Sequence, residues 1–204
     1  FSFKLAWETI RPSAALVPWA KVVWHSGGIP KHTFCLWLTF LKAYHTLDKL
    51  FCFGVEKSSL CPFGCGHHET VDHLFFECTF TKAVWSKVLK LKNCLPPASW
   101  NWENTATWAF EHKVGKQFRY WMRRAGLAAT VYHCWRERNN RIFRQSVASS
   151  DHLRTCIMSN VSAKAALCLR IHDTPTNRSI VVNWEIEESI FHSHSSVQGY
   201  GQGA

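Results

Sequence analysis

One spacing constrains this chain more than any other: Cys61-x3-Cys65-x7-His73-x4-Cys78, inside the run CPFGCGHHETVDHLFFEC at residues 61–78. Three thiolates and one imidazole complete a tetrahedral donor set that suits Zn²⁺. Four protein ligands leave no coordination position for water. The spacing therefore predicts a structural ion in a site of net charge about −1, not a hydrolytic centre. The competing reading is three reduced cysteines buried in an apolar cluster, a common fate of free thiols. The acidic and polar residues between the ligands argue against it. His67 and His68 are rival ligands. His73 is preferred because it leads directly into Leu74, Phe75 and Phe76, an apolar run that can anchor it. Cys35, Cys52, Cys94, Cys134, Cys156 and Cys168 have no such spacing and read as core or surface thiols.

The rest of the chain reads as mainly helical. FSFKLAWETIRP at residues 1–12 predicts a short strand entering a helix that stops before Pro12. HSGGIPK at 25–31 is a turn, and Phe34, Trp37, Leu38, Leu41 and Tyr44 then recur at helical spacing. Thr79 or Thr81 can cap a helix carrying Val84, Trp85, Val88, Leu89 and Leu91, and Pro96 and Pro97 break the chain. After SWNWENTATW, a long amphipathic segment runs from about Lys116 to Arg144. Phe118, Trp121, Met122, Ala125, Ala129, Tyr132, Trp135, Ile142 and Phe143 share its apolar face. Another helix is expected over 151–170, and IVVNWEIEE at 180–188 is a candidate short C-terminal strand before a loose tail. The expected organisation is a small helical zinc-binding domain with a Cys-Cys-His-Cys knuckle over 1–92, a basic helical region over 100–170, and a linker, strand and tail over 171–204.

The charge is +10, from 24 Lys and Arg against 14 Asp and Glu, which favours an anionic partner. Between Lys113 and Arg144 there are nine basic residues and one acid, Glu137. Arg119, Arg123, Arg138 and Arg141 fall on the polar side of the predicted helix and are candidate phosphate contacts for RNA or DNA. Lys82, Lys87, Lys90 and Lys92 extend the basic surface beside the knuckle. Tyr120, Trp121, Tyr132 and Trp135 could stack bases, although their phasing reads first as the apolar face of the helix. No stretch approaches the ~18 apolar residues of a membrane span, and no secretory leader is evident. The nine cysteines, an odd number and mostly scattered, suit a reducing, intracellular setting better than a disulfide framework.

Several separated blocks carry a family likeness. They are FSFKLAW at the start, Pro30 and Lys31 before Leu36 and Trp37, Thr46 to Leu50, Cys61 and Cys65, Glu69 through Cys78, and Trp85. In this order they resemble the reverse-transcriptase zinc-binding domain of plant LINE-type (non-LTR) retrotransposon polyproteins. The likeness covers about residues 1–90. YHCWRERNNRIF at 132–143 is similar to a helix that often follows that domain. The chain departs from the family at one point: the family usually has Cys-x2-Cys, whereas here Gly64 stands where the second thiolate is expected. Glycine tolerates positive φ and can let the turn absorb the extra residue.

The resemblance implies a non-catalytic module that helps a polymerase hold RNA or target DNA, with the parent polymerase domain as a further partner; the expected location is intracellular, with the nucleus as one candidate. Polymerase chemistry needs paired carboxylates for two Mg²⁺ ions. The four aspartates, at 48, 72, 151 and 173, include no adjacent pair, so this chain is not expected to be an enzyme. The alternatives are a structural zinc module that packs on a protein partner and a decayed retroelement fragment.

Overall fold

The computed structural model describes residues 2–11, 17, 19–92, 102, 104–105 and 118–192. The Pro96–Pro97 break, most of SWNWENTATW and the tail after His192 lie outside the described residues, as do the side chains of Lys92 and Cys168. The helices are α1 (Phe3–Ile10), α2 (Ala20–Val23), α3 (Pro30–Phe40), α4 (Leu47–Cys52), α5 (Thr79–Lys92), α6 (Phe118–Arg144), α7 (Ser150–Cys168) and α8 (Pro175–Asn183). A π-helical turn covers His73–Glu77 and a 3-10 turn covers Glu188–Ile190. Among the described residues β pairing is limited to two isolated bridges, Leu60 with His68 and Ile171 with Phe191.

Local signals explain most of these boundaries, including two that differ from expectation. The chain starts without the expected strand, because the Ser2 hydroxyl accepts the Leu5 amide and caps α1 directly. The candidate strand at 180–188 is also absent. Thr174 caps α8 by accepting the Asn177 amide, and Pro175 occupies the first turn, where its missing N–H costs nothing. Those two signals outweigh the β-branched run Ile180–Val182. Pro30 starts α3 in the same way. That helix ends at Phe40, short of the expected Tyr44, because Lys42 turns left-handed at φ 50°. Tyr44 then folds back, and its hydroxyl donates to the Cys35 carbonyl at 3.0 Å. Ser149 caps α7, and Lys87 of α5 reaches Asp151 at 2.7 Å.

The long helix α6 is the central element. It packs along α3 and against α5 and α7. One core runs from Val22 and Val23 through Leu36, Leu74–Phe76, Trp85, Leu127, Val131 and Ile157 to Trp184 and Ile190. Burying each of the larger side chains contributes about 1.5–3 kcal/mol. The aromatics proposed as stacking candidates on α6 mostly face this interior. Trp121 is buried, Tyr132 lies against His32, and Trp135 lies against Tyr44 at 4.1 Å.

Candidate metal centre

The knuckle is built from a tight hairpin and a widened helical turn. The hairpin closes where the Cys61 amide donates to the His67 carbonyl at 2.8 Å and the Glu69 amide donates to the Ser59 carbonyl at 2.7 Å. Between them the chain reverses through Gly64 at φ 76° and Gly66 at φ 81°. This region is open to glycine at no steric cost, and it is how the loop absorbs the extra residue between Cys61 and Cys65. The backbone amide of Phe63 points at the Cys61 sulfur.

His73 and Cys78 come from the other side. Five residues of α-helix rotate by about 500°, which would leave their side chains roughly 140° apart. The chain instead forms a π turn, closed by the Cys78 amide donating to the His73 carbonyl at 2.9 Å. One wide turn thus brings both ligands to one side and sends Leu74, Phe75 and Phe76 into the core, each fully buried. Trp85 steadies the turn, because its indole N–H donates to the Phe75 carbonyl at 2.7 Å.

The four donor atoms lie within 4.8 Å of one another. Cys61 and Cys78 sulfurs are 3.9 Å apart, and Cys65 Sγ is 3.1 Å from His73 Nε2. A tetrahedral Zn²⁺ with Zn–S bonds near 2.3 Å places its sulfurs about 3.8 Å apart, so the residues fit the ion. The Cys61 thiol donates to Cys78, and this bond pulls the Cys78 pKa down to about 5, helped by the amides of Phe80 and Thr81 at the start of α5. Cys61, as donor and as a buried group, is raised. The rival histidines are occupied elsewhere. His68 bonds Ser59 at 2.6 Å. His67 bonds the Cys65 carbonyl at 3.0 Å and stacks on His73 from the outside.

The nominated arginines divide into two groups. Arg119 is exposed and lies over Tyr120, and Arg123 is half-buried. Arg138 does not sit on a solvated face. It is 2% exposed and makes a two-pronged bond to Glu69, Nε to Oε1 and an Nη to Oε2, both at 2.8 Å. Arg141 bonds Glu137 at 2.8 Å and lies over the stacked rings of Phe63 and Phe80. Both side chains clamp α6 to the knuckle. The reason is geometric: α6 is covered on several sides, so its polar positions meet other elements as well as solvent. Sequence reading missed the carboxylates that receive them; the only available signal was the lone acid Glu137 among nine basic residues.

A search of curated proteins and of solved structures found no match to this chain. Residues 1–85, which include all four donors and the bracing Trp85, match the family model described as zinc-binding in reverse transcriptase, and that match supports a reverse-transcriptase zinc-binding domain over this stretch.

Proposed function

We propose that the chain is a non-catalytic, zinc-stabilised module of a reverse-transcriptase polyprotein of the plant LINE type, which helps hold RNA or DNA in the nucleus. The observation that carries this reading is the donor cluster itself. Cys61, Cys65, His73 and Cys78 converge on one point, and four protein donors fill a tetrahedron. The ion then orders the knuckle, and no ligand position is left for a reacting water. Anion affinity comes from the protein's +10 charge, since the centre itself is about −1. The test is an RNA and DNA binding titration on folded, zinc-loaded protein at low salt. Binding that weakens steeply as salt rises is expected; no binding at about 50 mM salt would sink the nucleic-acid role.

One observation favours a second reading, docking on the parent polymerase. Helix α1 exposes Phe3, Leu5, Trp7 and Ile10, each more than 60% accessible. A run of large apolar side chains on one short helix suits a protein interface. On this reading a Phe3→Ser, Trp7→Ser variant is more soluble, keeps its zinc and loses association with the polymerase domain. Unchanged association would exclude α1 as the contact.

A further inference from the structure

Arg124 of α6 is only 8% exposed, its Nε has no hydrogen-bond partner, and no carboxylate pairs with it among the described residues. Burial alone lowers its pKa from the ordinary arginine value. Burying a cation with no counter-charge is costly, so an anion entering beside Arg124 would relieve that cost. Arg124 faces a cavity of about 460 Å³ whose walls also include Lys21, Trp24 and Arg170. A second cavity of about 730 Å³ shares Arg170 with the first and adds Arg119 and the first turn of α8. Together they form one groove bordered by α2, the start of α6 and the α7–α8 connection.

The described lining of both cavities contains no Asp or Glu. Asp173, beside the groove in sequence, is held by Arg178 at 2.5 Å. Trp24 is 55% exposed at one end. Cations spaced along a groove with an open aromatic face match a repeating phosphate backbone with unstacked bases. An acidic peptide would satisfy the cations and leave Trp24 without a role. A duplex keeps its base faces stacked inside and cannot offer them to an indole.

We propose that this groove binds single-stranded nucleic acid, with Arg124, Arg170, Arg119 and Lys21 on phosphates and Trp24 stacked on a base. The proposal rests on the nucleic-acid reading above and gives it a location, away from the knuckle. Of the earlier arginine candidates, Arg119 lines it, and the buried Trp121, an earlier stacking candidate, forms part of its wall.

The test uses the full, zinc-loaded chain and fluorescence anisotropy with a labelled 12-nucleotide single-stranded RNA, the same DNA strand, its duplex and a poly-glutamate peptide. Lys21 and Arg170 are exposed, so Lys21→Gln with Arg170→Gln should fold normally. That double variant is expected to bind either single strand at least tenfold more weakly, with the log K against log salt slope reduced by about 1.4. Trp24→Ala should weaken binding about tenfold. Arg144→Gln, at the far end of α6, should bind like the parent. Arg124→Gln should melt higher while binding more weakly, the mark of a charge kept for a ligand. The groove is overturned if the double variant binds like the parent, if Arg144→Gln loses as much, or if duplex or poly-glutamate binds more tightly than the single strands. Parent protein that binds no nucleic acid at all overturns the broader reading as well.

Discussion

Arg138 on α6 grips Glu69 beside the knuckle through two parallel 2.8 Å hydrogen bonds, with the two side chains 3% and 0% exposed. Glu69 also accepts the Leu47 amide at 2.6 Å, so one buried carboxylate joins the start of α4, the knuckle hairpin and the central helix. Removing one member of a buried pair leaves the other charge uncompensated and typically costs 3–5 kcal/mol. Glu69→Leu and Arg138→Met should each lose about that much in urea denaturation followed by tryptophan fluorescence. The double variant should be more stable than either single one. Singles that lose less than about 1 kcal/mol would show that the pair is not closed in solution.

The candidate zinc centre makes its own prediction. Purified folded protein should contain one zinc per chain by elemental analysis, and Co²⁺ substitution should give the absorption of a tetrahedral site with thiolate charge transfer. Cys61→Ser and Cys78→Ser remove the two buried thiol donors and should abolish that spectrum. Structural zinc supplies ~10–16 kcal/mol of apparent binding energy in small fingers. Strong chelator should therefore unfold the knuckle and, through Phe75, Phe76 and Trp85, loosen the shared core. A melt unchanged by chelator would rule out a structural ion.

The cluster of four donors was legible because spacing and donor chemistry narrow the choice so far. The backbone that presents it was not. A His-x4-Cys spacing names its ligands, yet nothing in residue type announces that Leu74–Phe76 will open into a π turn so that both can face one ion. The long amphipathic helix was legible from its apolar stripe. The fates of Arg138 and Arg141 were not, because periodicity separates polar from apolar sides and cannot tell which polar position meets a buried carboxylate. At 174–183 the local signals conflicted. Thr174 and Pro175 marked a helix start while Ile180–Val182 suggested a strand, and the cap prevailed.

Gly64 tests the widened knuckle. Its φ is 76°, and a β-carbon there would meet no atom within 4 Å. Any penalty for a side chain is therefore backbone strain, about 1–2 kcal/mol for an L-residue in the left-handed region. Gly64→Ala should lower stability by about that amount in thermal or urea unfolding and leave the zinc content at one per chain. Loss of zinc from this variant would mean that the turn itself, and not only its strain, decides whether Cys65 reaches the ion.

The last prediction concerns acid. His32 is 1% exposed, and neither of its ring nitrogens has a hydrogen-bond partner. Burial, then the neighbouring His133, then Lys31 lower its pKa to about 3. His133 is lowered to about 4 by burial, then by Arg136, with Lys31 and His152 adding to it; the side chain of Asn160 acts the other way on both. Both folded values lie below the ordinary 6.5, so as pH falls the unfolded chain takes up protons that the folded chain refuses. Their contribution to stability is fully present above about pH 6.5 and is lost as pH drops towards 4 and then 3, by up to about 1.4 kcal/mol per proton per pH unit. The comparison is between two proteins that share the same four-donor cluster. His32→Phe keeps a ring against Tyr132 and removes one proton site together with its weak contact to Asn160. It should match the parent near pH 7.5 and be more stable by about 1 kcal/mol or more at pH 5.5, measured by urea unfolding across that range. A constant difference between the two proteins at every pH would show that His32 does not titrate differently on folding.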